Sequence, residues 1–340
     1  MKRLLVTGGA GFIGSNFIRH LLKRYDYEIV NLDKLTYAGN LDNLRDVEND
    51  RRYRFVHGDI CDPTAVDAAM SGCDGVVNFA AETHNDRALM DAGDFIKTDV
   101  HGVFVLLEAA RRNGVERFLH VSTDEVYGPR FPQSPGREDD PLAPANPYSA
   151  SKAGGEMQCQ AFFRTYGLPV LVSRSANNIG AYQYPEKAVP LFITNALEDQ
   201  LLPLYGEGLQ VRDWLHVDDN CEALALLLRQ GVPGEVYNVG AGNERPNIEV
   251  VETILALLEK PRDLIRFVED RTNHDARYSL DTAKIRSLGW SPRYDFEAAL
   301  TRTVGWYRDN RWWWEKIKSG EYAAYYQQQY GERLARSRAP

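Results

Sequence analysis

The sequence predicts an α/β fold: a doubly wound parallel sheet followed by a smaller, mixed α/β C-terminal domain. Three observations carry this. Short apolar runs alternate with helical stretches as far as residue 176. The first of these runs leads straight into a glycine-rich turn, Gly8-Gly9-Ala10-Gly11-Phe12-Ile13-Gly14. Beyond residue 176 the alternation gives way to segments rich in Pro, Gly and Tyr, such as Ile179-Gly180-Ala181-Tyr182-Gln183-Tyr184-Pro185.

Taken in order, strands are expected at Arg3–Thr7, Glu28–Asp33, Arg54–His57, Gly75–Ala80, Arg117–Ser122 and Pro169–Arg174. Helices are expected between them at Phe12–Arg24, Ala65–Met70, Phe95–Arg112 and Pro147–Thr165. Right-handed crossovers then lay helices on both faces of one parallel sheet. Two later helices, Asn220–Leu228 and Ile248–Leu258, lack the earlier rhythm, and the chain is expected to return to the sheet near Val211–Val239. The expected division is residues 1–176 with 211–240 as one domain, and 177–210 with 241–340 as the other. The tail carries Trp312-Trp313-Trp314 and Tyr322, Tyr325, Tyr326 and Tyr330. These rings are read as packing a terminal helix onto the body, because each buries a large apolar area.

Composition narrows the function classes. The chain has 340 residues and a net charge of −8, which argues against a general nucleic-acid or membrane-surface binder and leaves any anionic ligand to local donors. The four cysteines form no C-x-x-C pair and no His/Cys cluster has zinc spacing, so no metal is expected and the thiols are read as reduced. No apolar run approaches the ~20 residues of a membrane span. A strand at Arg3–Thr7 leaves no room for a signal peptide, so a cytoplasmic location is expected.

A lone G-x-G-x-x-G is a weak signal, but here it follows a strand and opens a helix, as a dinucleotide site requires. Gly8 and Gly9 permit the tight turn, Gly11 lets backbone approach a pyrophosphate, and Gly14 lets the helix pack closely. The helix start offers free N–H groups and a partial positive charge to phosphate. Asp33 ends the next strand, where a carboxylate accepts ribose hydroxyls and repels a 2′-phosphate; this favours NAD over NADP, with Lys34 beside it softening the repulsion. Asp59 follows the third strand, within reach of an adenine or simply solvated.

Two further segments carry chemistry. Ser122-Thr123-Asp124-Glu125-Val126-Tyr127 follows the fifth strand, at the sheet edge where such folds bind ligands, and offers two carboxylates beside a hydroxyl. Tyr148 and Lys152, spaced i, i+4 on the next helix, share one face. A lysine cation near the phenol, with the positive nicotinamide ring close by, stabilises phenolate and is expected to make Tyr148 a base near neutral pH.

These motifs resemble the extended short-chain dehydrogenase/reductase superfamily with its NAD-binding Rossmann fold. Within it, Thr123-Asp124-Glu125-Val126-Tyr127-Gly128 is similar to the nucleoside-diphosphate-glucose 4,6-dehydratases, most closely the dTDP-glucose 4,6-dehydratase family. Matches at Leu35–Asn40, Ala80–His84, Asn177-Asn178, Pro185–Lys187, Arg212–Trp214 and His274-Asp275 extend the resemblance over nearly the whole chain. It implies a hydro-lyase acting on a nucleotide sugar, dTDP-glucose, with NAD recycled in each turnover. Tyr148 would deprotonate the 4-hydroxyl, Lys152 hold the cofactor ribose, and Thr123 bind the sugar 4-oxygen. Glu125 would take the C5 proton and Asp124, protonated, would release the 6-hydroxyl as water.

The resemblance also implies that NAD is held by Gly8, Gly11, Phe12, Ile13 and Gly14, by Asp33, Lys34 and Thr36, and by Asp59 and Ile60. Ala80, Ala81, Glu82, Thr98, Ser122 and Asn178 complete that set with Tyr148 and Lys152. For the nucleotide sugar it implies Arg212, Asn177 and the segment Lys187–Phe192 at the diphosphate. Asn247, His274, Asp275 and Tyr278 would lie near the nucleotide, Pro203–Tyr205 near the base, and His84 at the substrate. A surface salt bridge with Asp213 is the other reading of Arg212. Many members read N-N-Y-G-P and H-D-R-R-Y where this chain has Asn177-Asn178-Ile179-Gly180-Ala181 and His274-Asp275-Ala276-Arg277-Tyr278. Both departures lie where substrate is held and spare the five catalytic positions. The departures leave a 4,6-dehydratase acting on another nucleotide sugar as an alternative; a UDP-sugar 4-epimerase would need no carboxylate pair, and a non-enzymatic NAD-binding scaffold would not need all five positions. A homodimer pairing the helices near Phe95–Arg112 and Pro147–Thr165 is expected, with Phe162 and Phe163 as candidate interface rings.

Overall fold

The computed structural model describes residues 1–131, 134–272 and 274–340. Its main sheet has seven parallel strands: β1 (Arg3–Thr7), β2 (Glu28–Asp33), β3 (Tyr53–His57), β4 (Gly75–Asn78), β5 (Arg117–Thr123), β6 (Val170–Ser175) and β10 (Val236–Val239), in the order β10-β6-β5-β4-β1-β2-β3. Because the order reverses beside β1, the loops after β1 and β4 part at that point and open a crevice at the strands' C-terminal ends. The remaining strands are β7 (Asn177–Ile179), β8 (Leu202–Tyr205), β9 (Val211–His216), β11 (Glu244–Pro246) and β12 (Ile265–Val268), which form a three-stranded sheet β11-β9-β7 and a pair β12-β8. The chain thus rejoins the main sheet through β10, whereas β9, expected to do the same, pairs with β7 and β11 instead.

Helices α1 (Phe12–Arg24), α2 (Pro63–Met70), α3 (Asn85–Met90), α4 (Gly93–Ile96), α5 (Val103–Asn113) and α6 (Pro147–Tyr166) follow the early strands. Helices α7 (Ala188–Leu197), α8 (Val217–Gln230), α9 (Asn247–Leu257), α10 (Ala283–Ser287), α11 (Phe296–Asp309), α12 (Arg311–Ile317) and α13 (Glu321–Ala335) follow the later ones. One core joins α1 and α8 to one face of the sheet through Phe17, Leu21, Leu224 and Leu228. A second covers the other face through Val66, Leu106, Phe118 and Phe162. A third, with Ile179, Phe192, Leu204, Ile254 and Trp314, is the interior of the C-terminal half. Ile285 and Trp290 belong to the first core, so the segment around α10 packs on the sheet side and not with the rest of 241–340.

Trp313 and Trp314 are fully buried and Trp312 faces solvent, so two of the three tail tryptophans fasten α12 to the body. The expected helix 95–112 is three pieces: α4, a π-helical turn Lys97–Gly102, and α5. Phe162 lies in the core, and Phe163 is half-buried against Gly234.

Candidate active site

The turn after β1 shows why glycine stands at each position. Gly8 adopts φ +68°, and a Cβ there would sit 2.5 Å from the Ala80 nitrogen. At Gly14 a Cβ would lie 2.4 Å from the Gly8 carbonyl oxygen, so the helix seats on the turn itself. At Gly11 the nearest protein atom would be 3.3 Å away. That position is spared a side chain for something other than the protein, which is what close approach by a pyrophosphate requires.

A cleft opens over this turn, lined by Gly8, Gly11, Phe12, Ile13 and Gly14, by Asp33, Lys34 and Thr36, and by Asp59 and Ile60. Ala80, Ala81, Glu82 and Thr98 line its far wall, and Ser122, Tyr148 and Lys152 its inner end. Asp33 accepts the backbone N–H groups of Ala10 and Leu35, both at 2.8 Å, and burial pushes its carboxyl above the usual range in spite of them. Each Asp33 oxygen keeps a lone pair, the acceptor set a ribose diol needs. Lys34 pairs with Asp59 at 2.8 Å, so the two neutralise one another at the adenine end. The donor set and the vacant flank of Gly11 fit a dinucleotide. Asn178 is not in the lining; its side-chain amide donates to the Ala176 carbonyl, its backbone carbonyl accepts from the Gln183 amide, and Gln183 is the residue that reaches the cleft.

The inner end is built by two caps. Asn146 and Ser149 form a reciprocal capping box at the start of α6, with Pro147 as the first helical residue. That fixes Tyr148 in the first turn and Lys152 one turn deeper. The Thr123 hydroxyl ends β5 by accepting the Glu125 N–H at 3.3 Å, which starts a 3-10 turn over Asp124–Tyr127. The turn points Asp124 inward, 3% exposed, and leaves Glu125 toward the second cleft.

That second cleft is lined by His84, Glu125, Tyr148, Asn177 and Lys187, by Pro203, Tyr205 and Arg212, and by Asn247, His274 and Tyr278. Tyr148, Glu186 and Lys187 line both clefts, so the phenol stands at their junction. Arg212 does not pair with Asp213, which instead accepts the Gly242 and Asn243 N–H groups. The guanidinium lies over the Tyr278 ring, 4.2 Å from its centre, and donates to the Asp275 carbonyl. Asp275 is behind the wall; it fixes Arg212 and accepts the Tyr278 hydroxyl. Ala276 is exposed, Ile179 is core, and neither these two nor Ala181 line either cleft, so the two motif departures leave the lining intact; the retained Arg277 is turned away in an ion pair with Glu244.

Electrostatics separate the two acids. Burial and the neighbouring Glu125 charge push the Asp124 carboxyl up to about 8, so it holds its proton at neutral pH. Its Oδ2 is buried and has no protein partner. Glu125 Oε2 accepts the Asn85 amide at 3.0 Å and lies 3.2 Å from the Tyr278 hydroxyl oxygen. His84 is kept neutral by burial and by the Lys187, Arg271 and Arg87 cations.

Burial first, and then the Glu125 and Asp99 carboxylates, push the Tyr148 phenol well above its ordinary value in the chain alone, and the Lys152 ammonium donates to the Val121 carbonyl at 2.8 Å. The chain's own groups keep Tyr148 protonated, and the cofactor's ring cation is the remaining part of the expected base.

Several lining or supporting residues escaped sequence reasoning. Asp99, on the π-helical turn, is 2% exposed, accepts from Ser151 and the Glu82 N–H, and is pushed up to about 6 by burial against the pull of Lys152. A Cβ at Gly155 would meet the Asp99 carbonyl at 2.3 Å, which is the close approach the wider turn produces. Asn85, Arg271 and Tyr330 line the second cleft from three distant segments, with no common motif to mark them.

A glycine turn under a parallel sheet, an acidic residue closing β2, and a Tyr–Lys pair at the end of β5 define a Rossmann-fold enzyme of the extended short-chain dehydrogenase/reductase class. The family model described as GDP-mannose 4,6 dehydratase matches residues 5–303. The chain is 51% identical to a dTDP-glucose 4,6-dehydratase of Streptomyces niveus over 94% of this chain and 97% of that one. It is 45% identical to the dTDP-glucose 4,6-dehydratase of Escherichia coli over 98% and 99% of the two chains. The solved structure of DesIV, a dTDP-glucose 4,6-dehydratase from Streptomyces venezuelae with NAD bound, has a TM-score of 0.91 and 50% identity, covering 93% of this chain and 100% of that one. The chain belongs to the dTDP-glucose 4,6-dehydratase family.

Proposed function

We propose that the chain is an NAD-dependent hydro-lyase that converts dTDP-glucose to dTDP-4-keto-6-deoxy-glucose. The observation that carries this is the pair Asp124–Glu125: one acid buried and protonated, the other held as an acceptor, both beside the phenol that joins the two clefts. NAD, when bound over the glycine turn, supplies the hydride acceptor for C4, the hydride donor for C6, and a ring cation near Tyr148.

With that cation beside it Tyr148 would lose its own proton to solvent, and the resulting phenolate would take the 4-hydroxyl proton while Thr123 holds the oxygen as it becomes a ketone. The ketone acidifies C5–H. Glu125 removes that proton, and the electron pair forms the C5–C6 double bond as the C6–O bond breaks. Asp124 gives its proton to the departing hydroxyl, which leaves as water. Glu125 then returns a proton to C5. Lys152, fixed by Val121, holds the cofactor ribose. Arg212 and Lys187 face the diphosphate, and the guanidinium fork matches phosphate oxygens. The nucleotide-sugar side is drawn from 177–210 and 241–340, and the NAD side from 1–176 with β10.

The protein is also proposed to act in the cytoplasm as a homodimer. Ile96, Phe104, Met157 and Tyr166, on the helices expected to pair, are 41–61% exposed, an apolar face suited to a second copy. The test of function is incubation with dTDP-glucose in D₂O, followed by NMR and mass analysis. A 4-keto-6-deoxy product carrying deuterium at C5 is expected. A galacto-configured product with no water lost would replace this reading by 4-epimerisation.

A further inference from the structure

Asn85 opens α3 directly after His84, whose φ of +83° turns the chain into the second cleft. Its amide Nδ2 donates to Glu125 Oε2 at 3.0 Å. Only the nitrogen end can face a carboxylate there, since two oxygens would repel. The other end, Oδ1, is buried and has no partner among the described residues.

The groups around Glu125 leave this bond a distinct part. Asp124 carries its proton at neutral pH and so adds no charge. Tyr148 and Tyr278 are phenols pushed up by burial, and both remain protonated. The Tyr278 hydroxyl has one proton; it lies 2.5 Å from Asp275 Oδ2 and 3.2 Å from Glu125 Oε2, so the shorter contact takes it. Lys187 is the nearby cation, but its ammonium is directed to Thr83 Oγ1 at 3.0 Å. Asn85 is therefore the donor aimed at the Glu125 carboxylate from a neighbouring element.

We propose that Asn85 is a positioning residue for the proposed base Glu125: its amide ties down Oε2 and leaves Oε1 as the oxygen that takes the C5 proton. Turning Oε2 away also fixes the carboxylate plane. The free Asn85 Oδ1, on the same wall, is an acceptor for a sugar hydroxyl, so the residue ties substrate placement to base placement. This inference rests on the dehydratase reading above.

The experiment is kcat and KM for NAD-loaded Asn85→Leu, Asn85→Asp and Asn85→Gln with dTDP-glucose, alongside isotope effects from C4- and C5-deuterated substrate. In N85L kcat is expected to fall about tenfold with KM changed less. The C5 isotope effect should grow and the C4 effect shrink, because proton removal becomes the slower step. N85D, which sets a second oxygen pair against Oε2, should lower kcat further, and N85Q, which keeps an amide, should recover part of it. Unchanged kcat, or a loss of kcat with both isotope effects unchanged, would overturn the proposal. Should the variants fail to retain NAD, ¹⁵N-asparagine labelling of the unaltered holoenzyme and of its Glu125→Gln variant decides: one side-chain amide must shift when the carboxylate is removed, and its absence also overturns the idea. If unaltered protein does not dehydrate dTDP-glucose, the functional reading fails instead, and the two failures are thereby told apart.

Discussion

Asp124→Asn replaces the buried acid by a neutral isostere, and its effect on stability has a sign as well as a size. The carboxyl sits at about 8 in the folded protein against 3.8 as a free group. Between those values the native chain holds a proton that the unfolded chain has released. A group raised in this way stabilises the fold fully below the unfolded value, and that contribution is lost as pH rises through the folded value. One unit is about 1.4 kcal/mol, so from about pH 4 to about pH 7 the wild type loses about 4 kcal/mol on this account. Asparagine has no such slope. Urea unfolding of both proteins from about pH 5 to about pH 8 should show the variant gaining on the wild type as pH rises, then running level above about pH 8. C4 oxidation should persist in the variant while water loss slows by about 10²–10⁴-fold, the usual worth of a general acid. Parallel stability curves, or wild-type dehydration by D124N, would refute the assignment of Asp124 as the protonated partner.

Three other outcomes follow from the geometry. Gly11→Ala, whose new Cβ meets nothing nearer than 3.3 Å, should keep its melting temperature yet lose NAD affinity, whereas Gly14→Ala, at 2.4 Å from a carbonyl oxygen, should lose both; calorimetry with NAD titration separates them. Arg212→Lys removes the fork that stacks on Tyr278 and should raise KM for dTDP-glucose by about tenfold or more with a smaller change in kcat, read by steady-state kinetics. Phe104→Glu with Met157→Glu places charge on the exposed apolar face of α5 and α6 and should yield monomers in light scattering with the circular dichroism unchanged.

The order of strands and helices through β6 was legible because each element carries its own period, and the glycine turn because each glycine answers a local steric demand. Thr123, Asp124, Glu125, Tyr148 and Lys152 were legible for the same reason: each sits in a short motif beside a strand end or a helix start. Asn85, Arg271 and Tyr330 were not, since they meet only after three segments far apart in sequence are packed against each other. Asp99 was hidden by a helix that widens at Lys97–Gly102, which a regular 3.6-residue period does not anticipate. The strand at Val211–His216 looked like a return to the main sheet because periodicity shows that a strand exists and does not show which neighbour it pairs with.

The sequence by itself determined the fold class, the dinucleotide turn and the identities of the reacting groups, all properties of residues close together in the chain. The tertiary structure decided their protonation and their company. Asp124 is the acid that keeps its proton because it is the one buried at the end of β5, and Tyr148 stays protonated in the chain alone because it is buried near the Glu125 and Asp99 carboxylates while Lys152 is drawn to a backbone carbonyl. Charge states depend on burial and on distances between side chains remote in sequence, and those exist only once the chain has folded.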